Sequence, residues 1–241
     1  MPEIKICGIN DAAFALEAAR LGVDYLGFIF ESSSPRCVDV AIAAGIASEL
    51  RATSGKRRPR RFEESAQGAS RPFEAARAPL PREAQLGERA SRPFEAARAP
   101  LPREAQLGEK PRLVGVFVRQ TPSEILDIMD RAGLDVVQLH RRATPEDVAA
   151  LRASGREIWT LAGGAPGDGV LFDSSHGDGE SAFRRGAYKS ILAGRLSAAN
   201  AAEAIATGAD VLDFNSSLEV SPGRKSVSLL SALFEVLHNL L

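Results

Sequence analysis

Cysteine is scarce in this chain: 241 residues hold two, Cys7 and Cys37. Two cannot build a disulfide scaffold, and so low a count suits a reducing compartment, so a cytoplasmic location is expected. Long apolar runs are also missing. No stretch approaches the roughly 18 apolar residues that a membrane-spanning helix needs. The opening, MPEIKICGIN, has no positive segment leading into an apolar one, so no secretory signal is expected. An excess of charge of either sign is missing too: 30 Lys+Arg stand against 31 Asp+Glu. Net charge therefore exerts no pull toward nucleic acid or membrane, and neither is expected as a partner. Apolar residues make up 44% and charged residues 25%. Those fractions describe a globular protein with a core, built as one large domain or two small ones.

The even balance conceals a split. Residues 56–112 hold 14 Lys+Arg and 8 Asp+Glu, together with 8 of the 14 prolines. They contain no Ile, Val, Met, Trp, Tyr, Cys or His. Such a segment has little apolar side chain with which to offset the entropy of ordering. Within it, ASRPFEAARAPLPREAQLGE occurs at Ala69–Glu88 and again at Ala90–Glu109, identical at every position. Solenoid repeats hold their core positions and let the surface drift. Identity at exposed positions instead marks a tandem duplication. The segment reads as a low-complexity insertion in a surface loop, since each doubling of loop length costs only about 0.6 kcal/mol. A second reading is a basic arm for nucleic acid or a partner, built around Lys56–Arg61.

The flanks alternate short apolar runs with helical patterns. Candidate strands are IKICG (4–8), YLGFIF (25–30), LVGVFV (113–118), VVQLH (136–140), EIWTLA (157–162), VLFDSS (170–175), KSILAG (189–194) and VLDFNSS (211–217). Near-continuous apolar runs of this kind suit parallel strands buried on both faces. Helices are expected after Asn10-Asp11, Thr121-Pro122, Thr144-Pro145 and Ser197, with Gly22, Gly133, Gly155 and Gly208 at their ends. Eight strands in this alternation predict a (β/α)8 barrel, a single domain over 1–241 interrupted by the insert at 53–111, between helix 2 and strand 3. Only GGAPGDG separates the fifth strand from the sixth. That is shorter than the dozen or so residues a parallel crossover usually takes, so helix 5 is expected to be missing and the strand order there is open.

Barrel chemistry sits at the C-terminal ends of the strands. This singles out Cys7, His140, Asp173 and Asn215-Ser216-Ser217. Taken alone, Cys7 reads as a nucleophile, a base or a small buried apolar residue. Asp173 interrupts an apolar strand, which is costly unless the carboxylate is paired or used.

The series K-I-C-G-I, L-G-F-I-F, S-P-R, V-G-V-F-V, D-V-V-Q-L-H, L-F-D and I-L-A-G, in this order, resembles phosphoribosylanthranilate isomerase, a tryptophan-pathway (β/α)8 enzyme. The resemblance covers residues 3–51 and 112–240 and skips the insert. It implies an Amadori rearrangement of a phosphosugar, with no metal and no organic cofactor; a monomer or weak homodimer is the expected assembly. It implies that Asp173 is the general acid and Cys7 the general base. A thiol in that role calls for a lowered pKa and a nearby cation. Gly8, Arg36, Gln138 and His140 are implied to bind the substrate, with Arg36 on the anthranilate carboxylate. Gly194, Arg195, Ser216 and Ser217 are implied to hold its phosphate.

The chain departs from the family pattern at the phosphate end. A Gly-Thr-Gly-Lys-like stretch is replaced by Gly177-Asp178-Gly179-Glu180, A-G-G by Ala193-Gly194-Arg195, and D-V-S-S-G-V-E by the D-F-N-S-S-L-E of Asp213–Glu219. Arg195 either narrows the phosphate cradle or adds a cation to it. A non-catalytic barrel that has lost its phosphate site is the alternative reading, and a binding protein that uses the basic insert is another.

Overall fold

The structure is a computed structural model and describes residues 1–53, 110–174 and 188–240. The duplicated repeat, the Lys56–Arg61 run and Gly177–Glu180 lie outside the described residues.

Eight strands form a closed parallel barrel in chain order. They are β1 (Glu3–Cys7), β2 (Tyr25–Ile29), β3 (Arg112–Phe117), β4 (Val136–Leu139), β5 (Glu157–Leu161), β6 (Gly169–Asp173), β7 (Lys189–Ala193) and β8 (Val211–Phe214). Side chains alternate between the two faces of each strand, so every strand feeds two cores. The inner core holds Tyr25, Val114, Val116, Val136, Trp159, Leu171, Ile191 and Val211. The outer core sets Ile4, Ile6, Leu26 and Phe28 against apolar helix residues such as Phe14, Ile46, Ile125, Met129 and Leu233. Both faces being buried explains why the strands read as continuous apolar runs.

The helices among the described residues are α1 (Ala12–Arg20), α2 (Val40–Thr53), α3 (Pro122–Ala132), α4 (Pro145–Arg152), α5 (Ala201–Ala206) and α6 (Val227–Leu240). Their ends follow the sequence signals. Asp11 caps α1, and Thr121 and Thr144 make capping boxes with Glu124 and Asp147, with proline in the first turn of each helix. Gly22, Gly133, Gly155 and Gly208 all have positive φ, the conformation that stops a helix at small cost. The helix expected after Ser197 begins as a 3-10 turn over Ala198–Asn200. The hairpin of β9 (Glu219–Ser221) and β10 (Arg224–Lys225) is an element that the apolar pattern does not announce. None of these helices is long and apolar enough to cross a membrane.

The connection from β5 to β6 contains no helix, and the strand order is nevertheless regular. Residues 162–168 run back along β5. The Asp168 amide donates to the Ile158 carbonyl at 2.7 Å, and the Gly167 amide to Thr160 Oγ1 at 3.1 Å. Seven extended residues reach roughly 24 Å, enough to retrace a five-residue strand. A Cβ on Gly167 would collide with the Ile158 carbonyl oxygen, so glycine is what allows so close a return.

α2 ends at Thr53 and β3 begins at Arg112. The insert thus falls in the chain between the last residue of α2 and the first of β3, which lies at the N-terminal ends of the strands. That end is closed by a polar layer in which Lys189 Nζ donates to the Tyr25 hydroxyl at 2.6 Å and Trp159 Nε1 to Glu157 at 2.6 Å.

The α3 cap gives a direct test of this local code. Thr121→Ala is expected to lower stability by about 1 kcal/mol. Urea unfolding should show an earlier midpoint with an unchanged slope.

Candidate active site

At the C-terminal ends of the strands lies a cavity of about 500 Å³. Cys7, Arg36, Gln138, His140, Asp173, Gly194, Arg195 and Ser216 line it, so the barrel gathers most of the residues singled out in the sequence. Gly8 and Ser217 are not in the lining. The Ser217 hydroxyl is buried without a hydrogen-bond partner among the described residues.

Cys7 ends β1 and is 5% exposed. Lys5 stands two residues earlier on the same strand and so on the same inner face. Its ammonium is fully buried and donates to Asp213 Oδ2 at 2.6 Å. Opposite Cys7 in the β1–β2 register is Gly27. A Cβ at that position would lie 3.0 Å from Cys7 Sγ and 3.3 Å from Lys5 Cε, so this glycine makes room for thiol and ammonium together.

The electrostatics correct one expectation. Cations do stand near Cys7, yet burial dominates and pushes the thiol above its ordinary value, with the Lys5 charge opposing. Burial pulls the Lys5 ammonium down, but Asp213 and Cys7 outweigh it and leave Lys5 raised. Burial also raises the Asp213 carboxyl, against the pull of Lys5.

Asp173 ends β6 on the inner face and is 6% exposed. His140, just beyond β4, places Nε2 3.6 Å from Asp173 Oδ2. Gly194 follows β7 at φ +91, and a Cβ there would lie 2.6 Å from Asp173 Oδ1. The glycine thus permits the close approach that seats the Asp173 carboxylate. Arg195 is the one non-glycine residue at positive φ among the described residues, at +57. Holding a side chain in that region costs roughly 1–2 kcal/mol.

Two buried acceptors, Gln138 Oε1 and Asp213 Oδ1, have no hydrogen-bond partner among the described residues, and both residues line the cavity. A buried acceptor without a protein partner calls for a donor from water or a ligand.

Arg36 lies at the cavity but is already paired. Its Nε and Nη2 donate to the two Glu219 oxygens at 2.7 and 2.8 Å. Glu219 also accepts from Lys225 Nζ at 2.9 Å. Gly8 serves this arrangement from behind: a Cβ there would sit 3.0 Å from both Arg36 Cδ and Asn215 Oδ1.

Lys5, Asp213, Glu219 and Lys225 are site residues that sequence reasoning missed. A signal existed for the first two. Lys5 interrupts one apolar strand and Asp213 another, and a closed barrel must place first and last strands side by side. In the β1–β8 register Lys5 is opposite Asp213. Asp213→Asn is expected to destabilise the fold by about 3–5 kcal/mol, because it leaves a buried ammonium uncompensated. Chemical denaturation of the two proteins measures the difference.

Comparison with known proteins gives one consistent result. The family model described as N-(5'phosphoribosyl)anthranilate (PRA) isomerase matches residues 85–236. That span includes the positions of Asp173 and His140, and the relatives below cover nearly the whole chain. The N-(5'-phosphoribosyl)anthranilate isomerase of Granulibacter bethesdensis is 30% identical over 245 residues, covering 98% of each chain. That of Parvibaculum lavamentivorans is 27% identical over 242 residues, covering 95% of each. Among solved structures, phosphoribosyl anthranilate isomerase from Thermus thermophilus is similar with a TM-score of 0.66 at 25% identity, covering 99% of this chain and 100% of its own. The match of fold and of sequence along nearly the whole chain has one conclusion: this chain belongs to the N-(5'-phosphoribosyl)anthranilate isomerase family.

Proposed function

We propose that this barrel performs the reaction of its family, converting N-(5-phosphoribosyl)anthranilate to 1-(2-carboxyphenylamino)-1-deoxyribulose 5-phosphate. The observation that carries the reading is the meeting of Cys7 and Asp173, from strands three apart in the ring, in one cavity. A related isomerase has been solved with a reduced form of that product, which supports a phosphosugar as the ligand.

The chemistry follows from those two groups. Asp173 gives its proton to the ribose ring oxygen as the bond from that oxygen to C1 breaks. The nitrogen lone pair forms a C1=N iminium. Its positive charge acidifies the C2 proton, so a modest base suffices. Cys7 takes that proton as a thiolate, and the C2–H electron pair becomes a C1=C2 bond while the iminium is neutralised. The resulting enol gives up its hydroxyl proton, C1 gains one, and the C2 ketone forms. His140 stands beside Asp173 and orients it. The open acceptors Gln138 Oε1 and Asp213 Oδ1 take sugar hydroxyls. Arg36 meets the anthranilate carboxylate, and a planar guanidinium fork suits that anion. Gly194, Arg195, Ser216 and Ser217 form the phosphate end, where Arg195 acts as a cation.

We read the chain as one barrel domain interrupted at 53–111, acting in the cytoplasm as a monomer or weak homodimer on a small-molecule substrate. Two free cysteines among the described residues fit a reducing compartment.

The reaction is followed by loss of anthranilate-type fluorescence. Cys7→Ser and Asp173→Asn are each expected to lower kcat by about 10²–10⁴-fold. Since the Cys7 thiol is raised, the thiolate fraction grows as pH rises. The kcat/KM of the native enzyme should therefore climb across neutral pH, and a flat profile would remove Cys7 from the role of base. Arg195→Gly tests the phosphate end separately. It should raise KM about tenfold by removing a charged contact, with little change in kcat, and should raise the melting temperature by relieving the φ of +57. An unchanged KM would leave Arg195 outside phosphate binding.

A further inference from the structure

Lys225 lies on β10, behind the cavity wall, with its side chain 1% exposed. Its ammonium makes three hydrogen bonds: to the Asn215 carbonyl at 2.9 Å, to Asn215 Oδ1 at 2.8 Å and to Glu219 Oε1 at 2.9 Å. All three N–H donors are thereby used. Lys225 can offer a ligand no hydrogen bond, and whatever it does it does through its charge and through what it holds.

What it holds is the partner of Arg36. Both Glu219 oxygens take N–H groups from that guanidinium, and the Glu219 side chain is 4% exposed. Arg36 with Glu219 alone would be a closed, neutral pair, and a second buried cation beside it would be pure cost. With Lys225 the cluster carries one positive charge in excess. The neighbouring Lys5–Asp213 pair is neutral and does not cancel it. Arg36 reaches the cavity, and its Nη1 is bonded to no acceptor among the described residues. Excess charge and an open donor thus coincide at one wall.

We propose that Lys225 is a positioning residue for substrate selection: it holds Glu219 and Asn215 in place behind Arg36 and sets the cluster at a single positive charge, so that the wall accepts one aryl carboxylate and discriminates against its neutral counterpart. The proposal rests on the function proposed above. Once the carboxylate is bound, the four charges sum to zero away from water, where such complementarity weighs most. Glu219 keeps the guanidinium plane fixed, so little rotamer freedom is lost on binding.

The experiment is equilibrium titration with two probes, the reduced product analogue and the same molecule with a carboxamide in place of its carboxyl group. The native protein should prefer the carboxylate. Lys225→Met should reduce that preference by about tenfold, the size of one charge-assisted contact, while binding the carboxamide as before. In turnover, KM should rise while kcat holds. A merely structural role would weaken both probes alike. The double variant Lys225→Met/Glu219→Gln returns the cluster to one positive charge and should regain most of the preference. It also carries the test alone if Lys225→Met shows no cooperative melt. The proposal is overturned by a Lys225→Met protein whose preference is intact, or by a double variant that lacks the preference. A native protein that binds neither probe overturns the functional reading itself, and this proposal with it.

Discussion

The ion pair between Lys5 and Asp213 is the constraint on which the rest of the structure depends. It sits inside the barrel on the seam between first and last strands, with Lys5 fully buried and Asp213 7% exposed. Neither charge is tolerable there without the other. A shift of the seam by one residue would turn every side chain of β1 to the opposite face and drive the ammonium into the outer apolar layer. The pair thus makes one closure register far better than its neighbours. It also sets the floor of the active site. Because strand side chains repeat every second residue, placing Lys5 inward places Cys7 inward, one step closer to the mouth.

Charge around Arg36 follows the same rule of pairing, with a remainder. Lys5 is balanced by Asp213, and Arg36 by Glu219. Lys225 is left over, and burial holds its ammonium below the ordinary lysine value even with Glu219 beside it. Gly8 and Gly27 contribute by having no side chain: the first lets Arg36 and Asn215 close in from one side, the second admits Cys7 and Lys5 from the other. These glycines fall within K-I-C-G and L-G-F-I-F, the segments that also supply the thiol and the buried ammonium. Their packing explains why those segments read as motifs.

The strands were legible because a parallel barrel buries both strand faces and so leaves apolar runs with polar ends. The helix starts at Asp11, Thr121 and Thr144 were legible because unpaired amides demand a side-chain acceptor. Cys7, His140 and Asp173 were legible as polar residues where apolar runs stop. The β9–β10 hairpin was not, since five residues of mixed polarity carry no periodicity. Glu219 and Lys225 were hidden with it. Glu219 takes its role from contact with Arg36, 183 residues away in the chain, and Lys225 takes its own through Glu219; no local pattern encodes such a distance. The raised state of the Cys7 thiol was hidden for a related reason: the sequence displays the neighbouring lysine, while burial, which outweighs it, belongs to the closed fold.

The short link between β5 and β6 shows how far this barrel can lose outer structure and keep its site. An outer helix normally covers a strand pair and supplies the crossover. Here residues 162–168 do both by retracing β5, with Ile158 bonded to Asp168 through both backbone and side chain. Asp173 does not depend on that missing helix. Its height in the barrel is fixed by the ladder of β6 with β7, where it lies opposite Ala193, and by the bare Cα of Gly194 against its carboxylate. The inner face is therefore set by strand neighbours and the outer face by whatever covers it. A fold organised in this way can do without a helix between β5 and β6 and still present the thiol of Cys7 and the carboxylate of Asp173 to one cavity.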